Sequence, residues 1–165
     1  MKSQICSVCL KSGMLCRTCR EKLEKGLIGE ADVKVSRTLV SMSDSVKALR
    51  DVTLVKVAES PDLAVIVCAR GDAAKVIGRE GLVAKALEKE LGKRVSIVEE
   101  ANDVKDFISA LLRPAQVAGI NVVYRGGAEA LRVLVKRGRA SRMPYRDFRE
   151  TVKLLYGKDV ELADA

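Results

Sequence analysis

The predicted order of helices and strands occurs twice along this chain, and that repeat constrains the fold more than any single motif. Two Asp-Val-Lys triplets, beginning at Asp32 and Asp103, lie 71 residues apart, and each opens an amphipathic helical pattern. Two Gly-Lys-x-Val segments, beginning at Gly92 and Gly157, lie 65 residues apart, and each precedes a predicted strand. Matched segments at similar spacing indicate a duplicated module. We therefore predict two tandem α+β modules, the second six residues shorter than the first.

The first copy, residues 31–101, is predicted to begin with a helix and a β-hairpin. The apolar residues that recur at helical spacing after Asp32 are Val35, Leu39, Met42, Val46 and Leu49. Apolar runs at 53–57 and 63–68 flank a Ser-Pro-Asp turn, which predicts two paired strands. A helix over 72–77, a glycine turn, a helix over 82–91 and a strand over 95–98 complete the predicted order.

The second copy, residues 102–165, repeats this order with one part missing. A helix opens at Asp103 and stops before Pro114, and a hairpin follows, with its turn at Arg125-Gly126-Gly127. A helix after Pro144 and a strand over 160–162 close the copy. The missing residues fall around 136–143, where the first copy has its glycine turn and the second has no Gly-x-x-Gly.

Two Cys-x-x-Cys pairs near the N-terminus predict a metal site. Six residues separate the pairs, so four thiolates can reach one ion and close a tetrahedral zinc shell. The alternatives are two disulfides or a redox-active pair, but a redox pair is expected at a strand-to-helix junction of a larger fold. We expect structural Zn²⁺ in an element spanning residues 1–30 that needs metal to fold. The predicted ligands are Cys6, Cys9, Cys16 and Cys19.

The fifth cysteine and the missing histidine narrow the possible chemistry further. Cys68 ends a continuous apolar run, so we expect it to pack as a small buried hydrophobe outside the metal site. The chain has no histidine, which removes the commonest general base, and it has no Walker phosphate-binding sequence. We therefore expect no enzymatic activity and no small-molecule substrate.

The tetrapeptide Gly78-Arg79-Glu80-Gly81 stands between two predicted helices. Glycines allow backbone conformations and close approaches that a Cβ would prevent, and amides at the start of a helix favour phosphate. The turn is therefore a candidate nucleic-acid clamp.

The charge and aromatic content of the chain agree with a polyanionic partner. The chain has 165 residues and a net charge of +8, with its basic excess at the two ends. Aromatic residues make up only 3%, which argues against a surface that stacks many bases. No signal-peptide pattern follows Met1 and no apolar run approaches the length of a bilayer span, so we expect a cytoplasmic protein without membrane contact.

This order of elements around Ile77-Gly78-Arg79-Glu80-Gly81 resembles a type II KH domain, and the whole chain is similar to archaeal NusA-like proteins. The resemblance implies a zinc element at 1–30, a KH module at 31–101 and a degenerate KH-like module at 102–165. It implies binding of single-stranded RNA in transcription elongation or termination, with the glycine turn clamping about four nucleotides. The RNA-contacting residues that it implies are Gly78, Arg79 and Gly81 in the turn, Ile77, Leu82 and Val83 along the groove, and Lys75 and Lys85 on phosphates. For the three apolar residues the alternative is packing in the core.

A second candidate for RNA contact is a dense basic tract in the second copy, opposed in sequence only by Asp147. Its members are Lys136, Arg137, Arg139, Arg142, Arg146 and Arg149. If these side chains share a face they form an electrostatic tract for RNA backbone, and the alternative is a solvated face paired with local acids.

Glu80 departs from the resemblance, because a carboxylate in the turn repels phosphate. It favours a different function, in which the protein is an adaptor that docks on RNA polymerase or the ribosome and the glycine turn is vestigial.

Overall fold

The computed structural model describes residues 1–138 and 140–165, with Arg125 described by its backbone alone. It is a mixed α+β structure that divides into two units, Met1–Glu100 and Ala101–Ala165. The α+β class expected from the sequence is therefore confirmed. Among the helices in the described part of the chain, none is both long and apolar enough to cross a membrane.

The first unit contains five α-helices, two short 3₁₀ segments and one three-stranded sheet among its described residues. In chain order these are α1 (Ser7–Ser12), α2 (Arg17–Glu24), α3 (Glu30–Met42), a 3₁₀ segment (Lys47–Asp51), β1 (Leu54–Glu59), β2 (Leu63–Cys68), α4 (Ala73–Ile77), a 3₁₀ segment (Arg79–Gly81), α5 (Leu82–Leu91) and β3 (Arg94–Glu99). Strand β2 is central, antiparallel to β1 and parallel to β3. Helices α3 and α5 pack against this sheet, and its apolar core includes Val35, Leu39, Ile66 and Val83.

The second unit has the same strand order and directions. Its elements are α6 (Val104–Leu111), β4 (Val117–Arg125), β5 (Ala128–Val135), α7 (Tyr145–Tyr156) and β6 (Asp159–Asp164). Strand β5 is central, antiparallel to β4 and parallel to β6. Phe107 on α6 and Phe148 on α7 are fully buried, and the Phe107 ring lies 5.2 Å from that of Tyr156.

The two sheets also share irregular details. Each hairpin has a register shift just after its first pair, between Leu54 and Lys56 in one unit and between Val117 and Gly119 in the other. A backbone hydrogen bond just beyond the second strand of each hairpin is also repeated. Ala69 N donates to Thr53 O at 2.9 Å in the first unit, and Lys136 N donates to Gln116 O at 2.9 Å in the second. Register shifts are specific features of a fold. Their recurrence shows that the two sheets are built alike.

Helix α3 is shorter than the apolar spacing predicts, because it ends at Met42 instead of continuing to Leu49. Ser43 Oγ donates to Val40 O at 2.6 Å, and its N–H is shared between the carbonyls of Leu39 and Val40. A serine that bonds back to the preceding turn competes with the helical pattern. The chain resumes as a 3₁₀ segment, which still places Leu49 fully in the core.

The N-terminal segment packs onto the rest of the first unit through an apolar cluster and two backbone hydrogen bonds. Ile5, Cys9, Ile28 and Val33 are buried together, so helix α3 contributes to the same cluster as the cysteine-bearing segment. Lys2 N donates to Val52 O at 2.8 Å, and Leu54 N donates to Lys2 O at 2.8 Å.

A buried carboxylate fixes the beginning of α3 against β1. Asp32 accepts hydrogen bonds from the backbone N–H groups of Gly29 and Val57, each at 2.7 Å. Burial nevertheless raises the pKa of Asp32, because the two bonds offset only part of the lost hydration.

Candidate metal centre and nucleic-acid interface

The four N-terminal sulfurs lie together. Cys6 and Cys16 each stand immediately before a helix, α1 and α2, so each Cys-x-x-Cys pair wraps the first helical turn. The Sγ atoms of all four cysteines lie within 4.8 Å of one another, with 3.3 Å between Cys6 and Cys9 and 4.0 Å between Cys6 and Cys16. Sulfurs around a tetrahedral zinc with bonds of about 2.3 Å stand about 3.8 Å apart. The cluster can therefore hold a metal ion.

Backbone amides prepare two of these sulfurs for the thiolate form. The N–H of Cys9 bonds to the sulfur of Cys6 and lowers the pKa of Cys6 to about 7. The N–H of Cys19 acts in the same way on Cys16 and lowers its pKa. Amides at the start of a helix stabilise negative charge, and a lowered thiol pKa favours metal binding.

Cys9 is one of the two buried cysteines of the cluster. The N–H of Cys16 donates to Cys9 Sγ at 3.0 Å and favours its thiolate. Burial and the three neighbouring sulfurs outweigh this bond and raise the pKa of Cys9 to about 12. A divalent cation among the sulfurs offsets this repulsion, so metal binding and loss of the Cys9 proton are coupled.

The disulfide alternative does not fit the observed geometry. All five cysteines are free thiols, and the 3.3 Å between Cys6 and Cys9 far exceeds the sulfur–sulfur bond of about 2.05 Å. Cys68 lies apart from the cluster, fully buried, with its thiol donating to Val98 O at 3.4 Å. Burial raises the pKa of Cys68 to about 11, so this thiol stays protonated.

The glycine turn joins α4 to α5 through left-handed backbone. Gly78 has φ 74° and ψ 169°, and Gly81 has φ 74° and ψ 19°. Glu80 also has a positive φ, 54°, which a residue with a side chain adopts only at a cost. A Cβ on Gly78 would lie 2.6 Å from Val83 Cγ2, whereas one on Gly81 would meet nothing closer than Lys85 Cε at 4.0 Å. Gly78 is thus required by packing, and Gly81 mainly by its dihedral angle.

Side chains of two chemical kinds surround the turn. Ile77 and Leu82 are 42% and 56% exposed on either side of it, while Val83 is fully buried in the core. Of the three apolar residues expected along a groove, the structure therefore leaves two accessible. Arg79 and Glu80 are exposed, and neither makes an ion pair with any described residue.

The two predicted lysines near the turn differ in their partners. Lys75 Nζ lies 2.7 Å from Asp72 Oδ1, and Asp72 also accepts from Thr53 N at 2.9 Å. Both partners lower the pKa of Asp72, and Lys75 has a larger effect than the Thr53 amide. Asp72 was not among the predicted site residues, although its i, i+3 spacing from Lys75 was a signal. Lys85 is exposed on α5 and is not paired with an acid in the described ranges.

Local acids accompany much of the basic tract in the second unit. Guanidinium and carboxylate groups lie 3.5 Å apart in the pair Arg137–Asp164, 3.8 Å apart in Arg146–Asp147 and 3.7 Å apart in Arg149–Asp159. Lys136 and Arg142 are exposed and make no ion pair within residues 1–138 and 140–165. Arg139 lies outside the described residues. The described part of the tract is therefore partly neutralised.

Comparison with known proteins gives a likeness of fold. No family model matches the chain, and no curated protein matches it. Matches among solved structures number 69 chains, so the fold occurs elsewhere. One of them, the crystal structure of APE1850, has a TM-score of 0.55 and 21% identity and covers 77% of this chain and 96% of its own. At this identity the likeness concerns the fold alone.

Proposed function

We propose that this chain is a non-enzymatic protein that binds single-stranded RNA through the turn at Gly78–Gly81. The observation that carries the proposal is the setting of the turn: exposed Arg79 makes no ion pair with any described residue and stands between exposed Ile77 and Leu82. In KH domains such a turn clamps the backbone of about four nucleotides. Residues 31–101 would then form a type II KH module, and residues 102–165 a degenerate copy.

The chemistry of the turn suits RNA backbone and bases together. A guanidinium binds phosphate with charge-assisted hydrogen bonds, and aliphatic side chains offer bases a surface without aromatic stacking. Glu80 works against this attraction, since its carboxylate is one residue from Arg79. We expect modest affinity, strengthened by the exposed cation of Lys85.

The metal that best fits the four-cysteine cluster is zinc. Four thiolates in a closed tetrahedral arrangement are typical of structural zinc sites. With this element in front of two repeated modules, the chain agrees with the resemblance to archaeal NusA-like proteins. We therefore propose a role in transcription elongation or termination.

Replacing Arg79 should weaken RNA binding without disturbing the fold, because its side chain is exposed and has no acidic partner in the described part of the chain. We expect Arg79→Ala to lower the slope of log affinity against log salt by about one, and Arg79→Asp to lower affinity about tenfold or more at low salt. Fluorescence anisotropy with a labelled single-stranded RNA over a salt series measures both effects. A charge-matched control is Lys105→Asp, an exposed position on α6 that belongs neither to the turn nor to the basic tract.

Equal losses in Arg79→Asp and Lys105→Asp would show that general charge, and not the turn, governs binding. A second candidate function is the adaptor that docks on RNA polymerase or the ribosome, which Glu80 in the turn favours. It predicts no measurable binding of single-stranded RNA even at low salt. It also predicts a stable protein partner that survives nuclease treatment.

A further inference from the structure

The second unit contains a pocket of about 480 Å³ at the ends of β5 and β6. Its floor is apolar and its rim is charged, with Leu112, Ala115, Val135, Leu162, Lys136 and Asp164 among the residues that line it. The volume falls in the range of sites that bind ligands or side chains of a partner. The pocket and the glycine turn belong to different units.

Backbone pairing identifies the same place in the first unit. Cys68 pairs with Glu99 there, and Val135 pairs with Asp164 in the second unit. One residue further on, Glu100 N donates to Cys68 O at 2.7 Å, and Ala165 N donates to Val135 O at 3.0 Å. Val135 and Asp164 are therefore the equivalents of Cys68 and Glu99.

Helix α4 fills this place in the first unit. Ala73 N, the first amide of α4, donates to Glu99 Oε1 at 3.3 Å. Val76 is fully buried in the same cluster as Cys68, and Ala73 packs against that cluster. In the second unit the described residues between β5 and α7, 136–138 and 140–144, contain no helix. Loop residues Gly138, Ala140 and Ser141 border the pocket in place of a helix.

We propose that this pocket is a docking site for a short helical segment of a partner protein. The equivalent site in the first unit indicates the chemistry of that segment. Its buried side should carry small apolar residues, as Ala73 and Val76 do in α4, and its first backbone N–H should donate to the carboxylate of Asp164. The exposed pair Arg137–Asp164 contributes little and opens readily. Lys136 on the rim and Arg142 beside it lack acidic partners among the described residues, so acidic residues should flank the segment.

RNA fits this pocket less well than a helix does. The carboxylate of Asp164 on the rim repels phosphate, whereas it accepts hydrogen bonds from the free amides at a helix start. The proposal is independent of RNA binding at Gly78–Gly81, because it concerns another unit and another class of partner.

The test uses the full zinc-loaded chain with labelled Ala, Leu and Val methyl groups. The probe is an acetylated, helix-constrained peptide with the sequence of 72–77. We expect saturable methyl shifts at Leu112, Ala115 and Leu162, with a dissociation constant on the order of 1 mM. The same peptide carrying Lys75→Glu should bind a few-fold more tightly, because the rim is basic.

A blocking variant and a matched control separate the pocket from general binding. Ala140→Trp places a large side chain at the exposed mouth and should weaken the peptide by about tenfold or more. Ala128→Trp, at an exposed position at the start of β5, should leave binding unchanged.

Three results would overturn the proposal. One is the absence of pocket methyl shifts at about 5 mM peptide, far above the expected dissociation constant. Another is equal binding by folded Ala140→Trp and the unchanged chain. The third is that single-stranded RNA, or self-association of the chain without peptide, produces larger methyl shifts in the pocket than the peptide does.

Discussion

Cys9→Ser is expected to abolish stoichiometric zinc binding and to lower the free energy of unfolding by at least about 3 kcal/mol. The serine hydroxyl is a poor zinc ligand, and Cys9 is buried within the N-terminal apolar cluster. Loss of the metal leaves charged or protonated sulfurs crowded within 4.8 Å and frees the apolar cluster that holds the segment on α3. Elemental analysis under reducing conditions and denaturant unfolding measure the two effects.

Cys68→Ala is the matched control for this substitution. Cys68 is equally buried but lies outside the sulfur cluster, so its removal should cost a small cavity and leave one zinc per chain. Chelation of the unchanged protein should likewise disperse the ordered structure of residues 5–28 while the sheet of β1–β3 persists. An ordered N-terminal segment in protein that carries no metal would contradict the structural role.

Gly78→Ala should destabilise the fold far more than Gly81→Ala, although both glycines have φ 74°. At ψ 169° Gly78 lies in a region that only glycine occupies readily, and its Cβ would stand 2.6 Å from Val83 Cγ2. Strain and overpacking together should cost about 3–5 kcal/mol. At Gly81, where ψ is 19° and the space is open, the cost should be about 1 kcal/mol.

Denaturant unfolding of the two alanine variants measures this difference, and each variant serves as the control for the other. Equal losses in the free energy of unfolding would show that Val83 moves aside at no cost. The difference also decides how RNA binding is tested, because a substitution at Gly78 disturbs the core. Arg79, whose side chain makes no ion pair among the described residues, separates binding from folding.

Apolar spacing predicted the elements well where local signals agreed with tertiary packing. The run from Leu63 to Cys68 became a fully buried strand, and Gly92 and Gly157 end helices in left-handed conformations, as their positions predicted. The predicted end of α3 was wrong. The apolar spacing continues through Leu49, but the helix ends at Met42, where Ser43 bonds back to the preceding turn.

Pairings between distant residues could not be predicted from one sequence. The basic tract is paired in part by Asp159 and Asp164, but this follows from the register of β6 beside β5. Similarly, Leu82 and Val83 are adjacent and equally apolar, yet the direction of α5 exposes one and buries the other. The cysteine cluster was easier to predict, because its ligand spacing is local and needs little of the remaining fold.

Photo-crosslinking to single-stranded RNA containing 4-thiouridine tests RNA binding at the glycine turn most directly. Mass spectrometry of the crosslinked peptides should place most contacts within residues 76–85, which include Ile77, Arg79 and Leu82. These crosslinks should fall with Arg79→Asp and persist with Lys105→Asp. Crosslinks confined to residues 1–30 or 101–165, with none in 76–85, would contradict RNA binding at this turn.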